Sequence, residues 1–336
     1  MSTLGQRYRL VGILVCGIGI YLTSPPILGE WMRQHIRDLF APSDDFYFVD
    51  TFRNLMIETN YSGPWAKEYG KFAVYATTGQ RSQMFDRFAI MSNEERGANA
   101  IWGVAMFDGH DCFNFCNAAE RELLKRVLLN VLHRNFDDTR YILGLTESVI
   151  YMFDQYIMAA HPDQYMCAST ALIAFFYKNK IYVVNLGDGQ AIFIDQKNNF
   201  LSERHTVAED RKFVEDGNVS VSLVHGVPHV AGRFPFTRAL GARGLKRSGW
   251  IIHLAHSRVF YLPRGGNDQY LLLATNGLWE ALSPQEAVDI FQKHKNDTLF
   301  GAKHLADKAL AKGARDNISV MIVKLGNKKK GKKTKK

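Results

Sequence analysis

The chain reads as an α+β protein, a β-sandwich with helices packed outside it. Three observations predict this. Several apolar runs have the length and residue types of strands buried on both faces, and Ile101 to His110 (IWGVAMFDGH) is the clearest. Four such strands run into a carboxylate or amide, at Asp108, Asp188, Asn276 and Asp316, so polar groups converge on one rim. Strands and helices also come in antiparallel-looking clusters, not in the strict alternation of a parallel α/β sheet.

Taken in order, the β signal begins at Lys71, with Phe72, Val74 and Tyr75 in a short strand; residues 30–70 form an aromatic-rich lead-in without a clear period. After His110, Leu123, Leu124, Val127, Leu128 and Val131 lie at helical spacing in a helix over Ala118 to His133. A second helix is expected over Thr146 to Ala159. Ser169 to Phe176 and Lys180 to Leu186 are strands around the turn Lys178-Asn179, and Ala191 to Ile194 follows as a third. Val207 to Asp216 reads as helix, and Phe260 to Pro263 and Tyr270 to Ala274 as strands. Ser283, Pro284 and Glu286 make an N-cap, first-turn proline and capping-box acid for a helix to Lys293. Leu299 to Gly313 is another helix, and Ile318 to Leu325 the last strand.

With 336 residues, 46% of them hydrophobic, the chain can bury a full core, which excludes wholesale disorder. Its net charge is +9, but seven lysines lie in the tail 326–336; without them the remainder is near +2. No aromatic residue interleaves those lysines, so nucleic acid is not the expected partner. Leu10 to Leu22 is uncharged over thirteen residues. Continued to Leu28 it reaches about nineteen, enough to span a bilayer. Residues 1–29 read as a signal anchor, with a cleaved signal peptide or mitochondrial presequence as alternatives. Arg7 and Arg9 on one side face Arg33 and Arg37 on the other, so charge does not set orientation. The four cysteines form no disulfide framework, and Cys112 and Cys116, at i and i+4, read as helix packing residues. This favours a reducing, cytoplasmic side for the domain; secretion or mitochondrial import are the alternatives.

A carboxylate at the mouth of a buried strand, as Asp108 is, suits a hard divalent cation, and Gly109 allows close backbone approach. Asp108 and Asp316 equally suit polar turns, Arg81 can pair with Asp86, and His110 can be an ordinary hydrogen-bonded histidine.

Five motifs in order resemble the protein phosphatase 2C family of metal-dependent serine/threonine phosphatases. They are FDGH (Phe107 to His110), STALIAFF with KIYVVNLGDGQA (within Ser169 to Ala191), FTRALGARGLK (Phe236 to Lys246), LLLATNGLWEALSPQEAVDIF (Leu271 to Phe291) and ARDNISVMIV (Ala314 to Val323). The resemblance covers residues 71–325. It implies a four-layer αββα sandwich of two antiparallel sheets flanked by helices, with a two-metal Mg²⁺ or Mn²⁺ centre at one edge. By that resemblance Arg81 matches the phosphate-clamping arginine, Asp108 the bridging carboxylate and Gly109 the carbonyl ligand of the second metal. His110 matches the general acid, Asp316 the last metal aspartate and Asp188 an aspartate of a weaker third metal.

The pattern departs from the family at the ligands. A glutamate is expected where Phe85 stands, before Asp86, and an aspartate where Asn276 stands. Ala242 replaces another aspartate, and Asp111-Cys112 replaces a Gly-Gly pair. A phenyl ring offers no lone pair to a hard cation, and an amide keeps an oxygen but loses the charge. The expectation is therefore a pseudophosphatase that binds a protein or phosphoprotein partner, with Mg²⁺ or Mn²⁺ held weakly on Asp108, Asn276 and Asp316, or not at all, and Asp111 as a spare carboxylate. The alternative is a weakly active phosphatase.

Overall fold

The computed structural model describes residues 53–54, 64–93, 100–134, 137–195, 199–262 and 269–325. The segment 10–28 and the lysine tail lie outside them. Among the described residues no helix is long and apolar enough to cross a membrane.

In chain order the strands and helices are β1 (Arg53–Asn54), β2 (Trp65–Tyr69), β3 (Phe72–Thr77), β4 (Asp86–Ser92), β5 (Ile101–His110), α1 (Asn114–Ala118), a π-helical turn (Ala119–Leu123), α2 (Leu124–Arg134) and α3 (Thr139–Ala160). Then come β6 (Ala168–Ser169), β7 (Ala171–Tyr177), β8 (Lys180–Leu186), β9 (Gln190–Ile194), β10 (Asn199–Leu201), α4 (Arg211–Asp216), β11 (Val221–Val224), β12 (Val227–Val230), β13 (Leu240–Gly241) and α5 (Arg243–Arg247). The chain closes with β14 (His256–Tyr261), β15 (Tyr270–Ala274), α6 (Asn276–Trp279), α7 (Pro284–His294), α8 (Thr298–Ala311) and β16 (Ile318–Lys324).

Two antiparallel sheets carry the fold. One runs β1-β4-β5-β7-β8-β14, with β6 and β13 added beside β5; the other runs β10-β9-β15-β16-β3-β2. Alternation along the strands sorts side chains into three apolar layers. Val104 and Met106 of β5 meet Leu271, Leu273 and Met321 between the sheets. Ala105 and Phe107, one residue out of phase, pack against Leu124, Val127, Ile150 and Phe153 of α2 and α3. Leu272, Ala274 and Ile322 do the same for the second sheet under Phe291, Leu305 and Ala306 of α7 and α8. This is the αββα sandwich the sequence predicts.

Most elements fall where the periodicity puts them. Ser283 caps α7 with a complete capping box to Glu286. The lead-in differs: β2 extends the second sheet from its edge, and its exposed side chains explain why no apolar period marks it. The cysteines need correction. Cys116 is a buried free thiol on α1, as expected. Cys112, however, precedes α1 and is disulfide-bonded to Cys167, with Cα atoms 5.4 Å apart. The cause is the pairing of β5 with β6, which sets His110 opposite Ala168 and so brings together cysteines 55 residues apart in sequence. The free-thiol ground for a reducing environment is removed with it.

Candidate active site

The polar rim forms where both sheets end on the same side. Asp86 begins β4 directly opposite Asp108 on β5. Thr275 and Asn276 follow β15, and Asp316 and Asn317 precede β16, its antiparallel neighbour. Asp86 ties the sheets together: its Oδ2 accepts from Thr275 Oγ1 at 2.8 Å and from Ser319 Oγ at 2.7 Å. It is fully buried, and burial pushes its carboxyl up to about 7 against the pull of those two hydroxyls.

Asn317 organises the loop before β4. Its Oδ1 accepts from Phe85 N at 2.7 Å, and its Nδ2 donates to the carbonyls of Thr78 and Gln83 at 2.9 Å each. Gly277 lets α6 pass so close to the Asn317 carbonyl that a Cβ there would overlap it. Asp188 sits in a turn held by Asn185, whose Nδ2 donates to the carbonyls of Gly187 and Gly189, and by His205, whose Nδ1 accepts from Gly187 N.

The rim is strongly acidic. Burial holds Asp108 well above the usual carboxylate range, with Asp86, Asp316, Asp188 and Glu280 adding repulsion. Asp188 is raised for the same first reason, and Glu280 is pushed up to about 7 by burial and then by Asp316 and Asp188. Asp108 Oδ2, Asp188 Oδ1 and Asn276 Oδ1 are buried without a hydrogen-bond partner. Such groups are costly unless something else meets them.

Arg81 reaches Asp316, with Nη2 to Oδ2 at 3.0 Å, and not Asp86 as one reading of the sequence allowed; Asp86 is sealed inside while the Arg81 side chain is 59% exposed. His110 Nδ1 lies 3.5 Å from Asp108 Oδ1, and its ring stands edge-on to Phe236 at 4.9 Å. Phe85 stacks flat on Phe113, centroids 4.2 Å apart and planes 3° apart. Gly109 N donates to the Phe85 carbonyl at 3.3 Å. Asp111, the expected spare carboxylate, adopts φ +64° and accepts twice from Arg233, at 2.8 and 3.2 Å.

The donor set differs from the one expected for a pair of divalent cations. A stacked aromatic ring occupies one expected ligand position, and Asp316 is engaged by Arg81. The orphaned oxygens of Asp108, Asp188 and Asn276 line an acidic pit at the rim. Two of its members escape sequence reading. Glu280 lies one turn beyond Asn276, its Oε1 3.4 Å from Asn276 Nδ2, a spacing that could have flagged it. The bracketing role of Asn317 has no local signal at all.

A model of the protein phosphatase 2C family matches residues 70–318. The chain is 26% identical over 284 residues to a cattle protein named protein phosphatase 1L, covering 82% of this chain and 78% of that one. It is 30% identical over 269 residues to a rice protein named probable protein phosphatase 2C 7, covering 78% and 68%. Among solved structures it resembles a sex determining protein of C. elegans, with TM-score 0.64 and 19% identity, covering 77% of this chain and 66% of that one. A serine-threonine phosphatase 2C from Toxoplasma gondii matches with TM-score 0.62 and 18% identity, over 82% and 99%.

Proposed function

The chain belongs to the protein phosphatase 2C family, and on that premise we propose that it is a catalytically impaired member, a pseudophosphatase that works by binding a protein or phosphoprotein partner. One observation carries this: Phe85, at the position of a ligand to the second metal, is stacked on Phe113 with no oxygen to offer. Of the carboxylates expected to hold the two ions, only Asp108 and Asp316 are kept, and Asp316 already faces Arg81. Losing well-placed ligands costs orders of magnitude in affinity; even supporting groups are worth roughly 10–100-fold. Mg²⁺ or Mn²⁺ is accordingly held weakly or not at all.

The apolar segment 10–28 supports attachment to a membrane as a signal anchor. The second reading, a weak phosphatase, is favoured by the survival of Arg81, Asp108, His110 and Asp316 at one rim. The two are separated by incubating the full chain with a phosphoserine peptide at millimolar Mn²⁺. No phosphate release above an Asp108→Ala control is expected. Turnover that Asp108→Ala abolishes would establish the weak enzyme.

A further inference from the structure

A groove of about 250 Å³ lies on the helical layer, between the turn joining α1 to α2 and the C-terminal end of α3. The π-helical turn creates one wall. It carries Arg121 and Glu122, with Asn117 and Ala118 of α1 just before it, and such bulges recur at functional sites. Tyr156 and Ile157 of α3, with His161, form the other wall.

The charges in this groove do not cancel. Glu122 lines it, but its Oε2 is taken by Arg126 through Nε and Nη2. Arg121 has no ion-pair partner among the described residues. Asn117 Oδ1 accepts from Arg87 Nε at 2.8 Å, so the group Asn117 has left to offer is its amide donor. Of the carbonyls at the end of α3, which would repel an anion, Ile157 O accepts from His161 N and Met158 O from Arg243, which also donates to Pro162 O at 3.4 Å. The polar end thus presents the Arg121 guanidinium and the Asn117 amide above an apolar floor of Ala118 and Ile157. The volume is below that of a drug-sized site and suits one side chain.

We propose that this groove receives a phosphorylated serine or threonine side chain of the protein partner, its phosphate meeting Arg121 and the Asn117 amide and its short stem lying on Ala118 and Ile157. The inference rests on the partner-binding reading above but places the contact away from the acidic pit. It also connects groove and pit. Arg87, held by Asn117, donates through Nη1 to the carbonyls of Met84 at 2.7 Å and Asp86 at 2.8 Å, on either side of Phe85.

The test is calorimetric titration of the full chain, in EDTA, with an end-blocked Ala-phosphoserine-Ala tripeptide, its unphosphorylated form and inorganic phosphate. Saturable binding of the phosphorylated tripeptide alone is expected. Arg121→Glu, at an exposed position, is expected to weaken it at least about tenfold, the scale of one charge-assisted hydrogen bond, and Asn117→Asp likewise. Arg81→Ala is expected to leave it unchanged. Absence of binding overturns the proposal, as does binding lost in Arg81→Ala and kept in Arg121→Glu. Inorganic phosphate binding as tightly as the tripeptide would make this a free-anion site and also overturn it. Hydrolysis of the tripeptide in Mn²⁺ would instead strike at the silent-enzyme reading and leave the groove result standing.

Discussion

Phe85→Glu combined with Asn276→Asp is expected to raise phosphopeptide hydrolysis by the full chain at least about 100-fold at millimolar Mn²⁺, with each single change giving much less. The geometry is favourable. Phe85 N is already fixed by Asn317, and its carbonyl by Gly109 N, so a glutamate there would start from a defined backbone. Asn276 Oδ1 already sits buried and unpartnered beside Glu280. The opposing cost is the Phe85–Phe113 stack, worth about 0.5–1.5 kcal/mol, small against the affinity at stake. Steady-state phosphate release measures the outcome. A double variant that stays folded and inert would place the defect elsewhere, with Ala242 or the Asp111-Cys112 pair as the next positions to restore. A parent chain as active as the double variant would mean the ring and the amide cost nothing.

Asp154→Ala is expected to lower Tm by about 10 °C. Asp154 is wholly buried on α3, where one oxygen pairs with Lys246 of α5 and the other accepts from Gly241 N at 2.6 Å. Removing it strands a buried ammonium and a buried N–H together, a loss of about 3–5 kcal/mol. At roughly 2–4 °C per kcal/mol for a domain of this size, the shift is easily seen by scanning calorimetry. Adding Lys246→Met should recover part of the loss, because the stranded charge goes while the Gly241 N–H stays unmet. The pair matters to the rim as well. Gly241 pairs with Ala168, which lies opposite His110, so Asp154 braces the strand edge behind the DGH corner. A shift under about 3 °C would mean that the pair is replaceable by solvent.

Much of the scaffold was legible because its signals are local. Leu123 through Val131 announce a helix by spacing, Ser283 and Glu286 announce a start, and the alternation within Ile101 to Phe107 sorts side chains between two cores. What sequence reading missed is held by contacts between distant segments. Arg81 finds Asp316 across 235 residues while Asp86, its near neighbour, turns inward to Thr275 and Ser319. Cys112 meets Cys167 only because a two-residue strand, β6, docks on the end of β5. The replacement of Gly-Gly by Asp-Cys, which reads as a loss in the sequence, builds two ties in the fold, one to Arg233 and one to Cys167. The π-helical turn has no pattern distinct from the helix around it, so the groove beside it was invisible.

The most direct measurement is a calorimetric titration of the full chain with Mn²⁺. A rim carrying Phe85 and Asn276 is expected to take up at most one ion per chain, weakly, and to lose that uptake in Asp108→Ala. Two ions bound per chain by the unaltered protein would contradict the reading of a silent phosphatase.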